Sequence, residues 1–453
     1  MIVNVKPGKR TGSLVVPESK SYAHRMLIGA ALSNRHSQIR CARLSEDIEA
    51  TIACLRTLGA NICVNDRIIE VAGVFCKDDA HSCEIEKRKT QNGNEALDEA
   101  LAIDNEALGE TLEGDTLMLH CNESGSTLRF LIPVVGALGT KASFVMEGKL
   151  SERPLDALCN ELTKHGMTFL KEGKILNCQG KLTPGNYVIP GNISSQFISG
   201  LLFALPLLSG DSTLTVTGNT ESRGYVEMTK EVIKDMGICI EAGENVYKIS
   251  GNQTYCPKAM SAVEKDWSNA AFYLCMGAMS KKGITLEEMN VNSLQSDRAI
   301  LDVLKKFGAD VEISGDKVTV RQNKLNACVI DAKEIPDLVP TVSALAAISN
   351  GKTKIINAAR LRMKESDRLF STANMLNSLG ALVTELEDSL EIEGKPYLDG
   401  GTIDAMCDHR IAMSAAVAAC GCRNEVTVNG ADCVAKSYPE FWKDFDKLEV
   451  EDE

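Results

Sequence analysis

The chain repeats itself. A polar or glycine-containing turn followed by a run of small apolar residues at helical spacing occurs six times: "PESKSYAHRMLIGAAL", "NESGSTLRFLIPVVGAL", "PGNISSQFISGLLFALPLL", "EKDWSNAAFYLCMGAM", "PDLVPTVSALAAIS" and "DHRIAMSAAVAACG". Each of the first five leads to a second, more charged helical stretch ending in glycine, as in "TIACLRTLGA", "LCNELTKHGM" and "ILDVLKKFGAD". Glycine is the residue a left-handed C-cap favours. Alternating segments such as "KVTVRQ" and "SLEIEG" read as strands between the helices. Six units of strands plus two helices predict an α/β protein of two domains with three units each. The first helix of each unit is apolar nearly all round and belongs inside; the second is amphipathic and belongs at the surface.

With Ser19, Ser124, Ser194, Asp266, Asp337 and His409 as markers, the intervals are 105, 70, 72, 71 and 72 residues. The first is too long. Its excess falls on residues 77 to 113, which hold 11 Asp/Glu against 4 Lys/Arg and few large apolar residues. That segment reads as a solvated, mobile insertion, part helical at "NEALDEALAI".

At 453 residues the chain exceeds one ordinary core. Its 44% apolar content with only 5% aromatic residues predicts aliphatic layers rather than an aromatic sandwich. A net charge of -13 argues against a sequence-independent nucleic-acid binder, whose affinity rests on neutralising phosphates. The 16 cysteines run from Cys41 to Cys433 without a CxxC pair, and read as reduced thiols. The opening "MIVNVKPGKRTGSLVVP" reads as a strand rather than a leader, and no apolar run reaches membrane length, which points to a cytoplasmic protein.

The turns that open the repeats carry unusual chemistry: Lys20, Ser21 and Arg25; Gly125, Ser126 and Arg129; Ser194, Ser195 and Gln196; Asp337; Asp408, His409 and Arg410. Helix caps explain Ser, Asp and Gly. They do not explain Lys or Arg in a first turn, where the helix dipole disfavours cations; such residues imply an anion to be held. Arg153, Arg223 and Lys436 add to the set. So does "RLRMKESDRL", Arg360 to Leu369, with four cations and two anions. Helical throughout, it would stack Arg360, Lys364 and Arg368 on one repelling stripe; a helix starting near Ser366 would instead gather them at its N-terminus. Two anions at adjacent subsites are implied, and the cations around them should repel across the site until those anions arrive.

The motifs "ESKSYAHR", "ESGSTLR", "ERP", "SSQF", "SRGYVEMT", "IPD", "RMKESDR", "DHRIAM" and "KSYP", in this order, resemble those of the 5-enolpyruvylshikimate-3-phosphate synthase family of enolpyruvyl transferases. The resemblance implies a two-domain inverse α/β barrel of six βαβαββ units, three per domain. One domain would span residues 21–259 with the insertion, the other 1–20 plus 260–453, closing on the substrates at a double hinge. It further implies transfer of the enolpyruvyl group of phosphoenolpyruvate to the 5-hydroxyl of shikimate 3-phosphate, with release of phosphate. Ser21, Arg25, Ser194, Ser195, Gln196, Ser222, Tyr225, Asp337 and Lys364 would bind shikimate 3-phosphate. Lys20, Gly125, Arg153, Gln196, Arg368, Arg410 and Lys436 would bind phosphoenolpyruvate. Asp337 would act as base, Glu365 as acid, and Lys20 would steady phosphate charge. No metal or organic cofactor, no nucleic acid and no membrane enter; a monomer and a glyphosate target are implied.

The chain departs from the family pattern in several places. Glu123, Ser124, Gly125 and Ser126 stand where many members read Asn-Ala-Gly-Thr, Arg360 where some carry a polar amide, and Trp267 where a small residue is common. The sister reading, a UDP-N-acetylglucosamine enolpyruvyl transferase, usually has a cysteine ahead of the position of Arg153, and residues 130 to 152 contain none. A noncatalytic anion- or nucleic-acid-binding protein is disfavoured by the acidic charge. His24 and His409 read as packed or hydrogen-bonded histidines. If the acidic segment is an appendage, replacing residues 77–113 by a short Gly/Ser turn should leave folding and turnover nearly unchanged. A variant that fails to fold, or loses roughly tenfold in activity, would show that it packs on the body.

Overall fold

Each of the six apolar runs forms a buried helix paired with a more exposed one. In chain order the helices are α1 (Lys20–Ala31), α2 (Glu46–Thr57), α3 (Gly125–Leu138), α4 (Asp156–Lys164), α5 (Ser195–Ala204), α6 (Arg223–Asp235), α7 (Trp267–Gly277), α8 (Ile300–Phe307), α9 (Val339–Ala346), α10 (Arg368–Ser378), α11 (His409–Ala419) and α12 (Phe441–Asp446). This computed structural model describes residues 1–76 and 116–451. The insertion expected at 77–113 lies outside the described residues.

The odd-numbered helices are the inner ones: every residue of α9 and α11 is buried. The even-numbered helices bury one stripe. In α8 it is Ile300, Leu301, Val303, Leu304 and Phe307, with Lys305 and Lys306 outside. The glycines expected to stop these outer helices do so: Gly59, Gly166, Gly237, Gly308 and Gly380 all have φ between +82° and +103°.

Each unit contributes one sheet, and in five of the six a parallel pair is extended by an antiparallel hairpin; in the sixth the pair Gly401–Asp404 and Val426–Asn429 is extended by a single strand. Leu117–Asn122 runs parallel to Ala142–Met146, which pairs antiparallel with Ile175–Gln179, itself joined to Thr168–Glu172. The sheets beginning at Asn186–Pro190 and Val329–Asp331 repeat this arrangement. The ends of the chain complete other units. Arg10–Leu14 lies parallel to Ile284–Leu286, and Ile2–Val5 antiparallel to Val426–Asn429. Met260–Ala262 turns back to lie parallel to His36–Arg40 in the first unit.

Two hydrophobic cores result. One gathers residues from Tyr22 to Val263; the other gathers Val5, Leu14 and Val16 with residues from Trp267 to Leu448. The chain therefore changes core between Val16 and Tyr22 and again between Val263 and Trp267. At the second change the strand Met260–Ala262 pairs within the first sheet. All 15 described cysteines are free thiols, and burial pushes Cys41 and Cys178 up to about 12. No described helix is long and apolar enough to cross a membrane.

Candidate active site

Five of the six inner helices begin with a side-chain cap. Ser19, Ser124, Ser194 and Asp266 accept from the backbone N–H groups of Tyr22, Thr127, Gln196 and Asn269. In the sixth unit Asp408, rather than the marker His409, accepts from Arg410 N. The fifth unit differs: Pro336–Leu338 forms a 3-10 turn ahead of α9, without a side-chain cap. The Asp337 carboxylate is thereby free for other partners.

The helix starts converge on one cleft between the two cores. Its walls include Lys20 and Ser21, Gly125 and Ser126, Ser195 and Gln196, Ser268 and Asn269, Asp337, and His409 and Arg410. The positive ends of the helix dipoles gathered here favour anions before any side-chain charge is added.

Arg368 is the hub of the side-chain charge. It is the first residue of α10, with Asp367 as N-cap, and its side chain is 1% exposed. Nε donates to Asp408 Oδ2 at 2.8 Å, Nη1 to Asp337 Oδ1 at 2.7 Å and Nη2 to Glu365 Oε2 at 2.6 Å. Asp337 also lies 3.4 Å from Lys364 Nζ and 3.5 Å from Arg410 Nη2, and accepts from the Tyr225 hydroxyl at 3.3 Å. Burial alone would raise its pKa, but Arg410, Lys364 and Arg368 outweigh it and hold the carboxyl well below the usual range. Glu365 is held down in the same way, with Arg368, Arg153 and Lys436 overcoming burial. Both carboxylates are ionised in this arrangement.

The other cations were expected to repel one another. Most instead carry a carboxylate supplied by the protein. Lys20 Nζ lies 2.7 Å from Asp47 Oδ2, Lys436 Nζ 2.8 Å from Glu123 Oε2, and Arg153 Nη1 3.6 Å from Glu365 Oε1. Arg360 reaches Glu221 Oε2 at 2.5 Å and donates to Ser222 Oγ at 2.7 Å. Arg25 is different: its guanidinium donates to Thr229 Oγ1 and to the carbonyls of Ser21 and Tyr225, all neutral oxygens. Burial lowers its pKa to about 10, so it is a desolvated cation suited to an incoming anion.

Of the residues anticipated from sequence, Lys20, Ser21, Arg25, Gly125, Arg153, Ser194, Ser195, Gln196, Ser222, Tyr225, Asp337, Lys364, Glu365, Arg368 and Arg410 line this cleft. Lys436 is 6% exposed and stands beside it, next to the lining residue Ser437. Gly125 has a steric role: a Cβ there would meet Arg153 Nη1 at 2.9 Å and Arg129 Nη1 at 3.1 Å. Sequence reasoning missed two of the carboxylates that hold the cations, Asp47 and Glu221, and singled out Asp408 without its partner Arg368. Asp47 sits among Glu46 and Glu49 in the first turn of α2, where acidic residues need no further reason. His24 and His409 are buried and neutral, His24 pushed down to about 3 by burial with Nδ1 on Thr51 Oγ1.

A two-lobed fold of six repeated units, with a cleft of paired carboxylates and cations between the lobes, defines an enzyme-like site for small anionic ligands. Comparison with known proteins narrows the class. A family model described as EPSP synthase (3-phosphoshikimate 1-carboxyvinyltransferase) matches residues 5–91 and 76–445. A 3-phosphoshikimate 1-carboxyvinyltransferase of Clostridium acetobutylicum is 43% identical over 452 residues, covering 98% of this chain and 97% of its own. The protein of that name from Clostridium kluyveri is 41% identical over 455 residues with the same coverage. Among solved structures, an EPSP synthase from Acinetobacter baumannii matches at TM-score 0.75 and 22% identity over 100% of both chains. The enolpyruvyl transferase NikO from Streptomyces tendae matches at 0.74 and 17%, over 99% of this chain and 97% of its own. The chain belongs to the EPSP synthase family.

Lys364 offers a direct check on the electrostatics of the cleft. Burial lowers its pKa to about 8, with Asp337 acting in the opposite sense, so the amine carries its proton below that pH and loses it above. Reductive ¹³C-methylation followed by an NMR titration should show one lysine with a midpoint near 8 that is missing in Lys364→Arg. Titration of every lysine above about 10 would contradict the burial argument.

Proposed function

We propose that this chain joins the 5-hydroxyl of shikimate 3-phosphate to C2 of phosphoenolpyruvate and releases phosphate, by addition and then elimination through a tetrahedral ketal phosphate. The observation that carries the reading is the sharing of one buried guanidinium, Arg368, by two carboxylates, Asp337 and Glu365, in a cleft supplied with cations from both lobes. The reaction needs a base for the hydroxyl, an acid for the methylene carbon, and positive charge for two anions.

Asp337, ionised and free of capping duty, is the proposed base. Glu365 is the proposed acid, and its low resting pKa sets a condition. It can hold a proton only once Arg153, Arg368 and Lys436 turn toward other anions, which the phosphate and carboxylate of phosphoenolpyruvate would be. The acid would then be armed by the substrate it protonates. Lys20, Arg153, Arg368, Arg410 and Lys436, with Gln196 and the Gly125 backbone, are proposed to bind phosphoenolpyruvate. Ser21, Arg25, Ser194, Ser195, Gln196, Ser222, Tyr225, Asp337 and Lys364 are proposed for shikimate 3-phosphate. Domains of 21–259 and 1–20 plus 260–453 would close at the two crossings, and the working form is proposed to be a cytoplasmic monomer. Phosphate release from phosphoenolpyruvate that requires shikimate 3-phosphate tests the reaction; release that depends on a UDP-sugar instead would overturn it.

Two variants test the roles. Glu365→Gln keeps shape and removes the acid, so turnover should fall by about 10²-fold or more with shikimate 3-phosphate binding barely changed. Normal exchange of solvent deuterium into the methylene of phosphoenolpyruvate by this variant would remove Glu365 from the acid role. Gly125→Ala would push a methyl group against Arg153 and Arg129. It should weaken glyphosate binding much more than shikimate 3-phosphate binding, and equal losses would count against glyphosate sitting there.

A further inference from the structure

Glu123 departs from the family pattern, and the chain around it is shaped to direct its carboxylate. The strand Leu117–Asn122 shifts register between His120 and Asn122, and Asn122 takes a left-handed conformation with φ of 48°. That conformation is uncommon outside glycine and is most often tolerated by Asn or Asp. The turn is fixed from both sides, Ser124 N donating to Cys121 O at 2.8 Å and Glu147 N to Asn122 O at 2.7 Å. Across from it lies Gly148, with φ of 49°, where a Cβ would come within 1.7 Å of Glu123 Oε1. Any side chain at 148 would occupy the space that the carboxylate uses.

The carboxylate reaches the other lobe. Glu123 Oε2 lies 2.8 Å from Lys436 Nζ; the lysine side chain is 7% exposed, the glutamate 35%. Glu123 belongs to the lobe of α3, Lys436 to the lobe of α11. Burial opposes charge on Lys436, but Glu365, Asp47 and Glu123 together raise its pKa and keep it an ammonium. Among the described residues Glu123 is its one ion-pair partner.

We propose that Glu123 is an intramolecular competitor for Lys436, its carboxylate exchanging with the phosphate group of phosphoenolpyruvate and of the released product. The inference rests on the reading that Lys436 holds that phosphate. Two anions drawn to one ammonium repel each other, so a fixed carboxylate weakens retention of phosphate at the same point. It also gives the ammonium a partner when the product departs. Glu123 would thus be a specificity-determining residue that sets how tightly the site holds phosphate-bearing ligands, without touching shikimate 3-phosphate.

The test compares wild type with Glu123→Gln, which keeps size and hydrogen bonding but removes the charge. Calorimetric titration of the full-length enzyme with inorganic phosphate should show about tenfold tighter binding in the variant, since relieving one like-charge contact is worth roughly that factor. In turnover, inhibition by inorganic phosphate should tighten and the KM for phosphoenolpyruvate fall by a similar factor, while the dissociation constant for shikimate 3-phosphate stays within about twofold. In a Lys436→Met background, Glu123→Gln should change phosphate binding little, because the contested ammonium is gone. Unchanged or weaker phosphate binding in Glu123→Gln, or the same tightening without Lys436, would overturn the proposal. Wild-type enzyme without turnover of phosphoenolpyruvate would refute the proposed reaction, and the phosphate titration would still decide the competition.

Discussion

The buried guanidinium of Arg368 is the constraint on which the site depends. Taking a cation out of water costs several kcal/mol after relaxation, and the cost is offset only when hydrogen-bonded partners of opposite charge surround it. Asp337, Glu365 and Asp408 do so, each from a different stretch of the second lobe. Removing one partner from such a buried cluster commonly costs about 3–5 kcal/mol, because the remaining charges lose their compensation. Three chain segments are therefore held in one geometry, and two of the carboxylates so held face the cleft.

The fold prepares this by repetition with one deviation. Five inner helices commit an oxygen-bearing side chain to a cap, which satisfies a backbone N–H group that would otherwise lack a partner. At the fifth, a 3-10 turn with Pro336 at its start has no side-chain cap, and the Asp337 carboxylate is left to the cations of the cleft. The exception to the repeat marks the proposed base. The same reasoning applies to Arg25, whose neutral partners set it apart from the carboxylate-paired cations around it.

Much of this was legible in the sequence because it rests on local rules. Apolar runs with glycine stops fix helices and their ends, and the spacing of Ser124, Ser194, Asp266 and Asp337 reports the period directly. Of the cations in "RMKESDR", Lys364 and Arg368 stand in the cleft at the start of α10, as the alternative with a helix beginning near Ser366 required, while Arg362 turns away to Glu385 and the carbonyls of Leu386 and Glu387. What could not be read were pairings across long separations. Asp47 with Lys20 joins two helices of one lobe, and Glu123 with Lys436 and Glu221 with Arg360 join the two lobes. Nothing local distinguishes such an acid from one that merely faces water. For that reason the expected repulsion between cations gave way, in the structure, to a cleft whose charges are largely balanced from within.

Substrate anions that take over these cations would raise the pKa of the carboxylates they release, Glu365 above all. Proton uptake on binding measures this directly. Calorimetric titration with shikimate 3-phosphate and an unreactive phosphoenolpyruvate analogue such as phospholactate, at pH 7 in buffers of different ionisation enthalpy, gives the net number of protons bound. Uptake is expected with the wild-type enzyme and should be clearly reduced in Glu365→Gln. Equal uptake in both, or none in either, would contradict that shift.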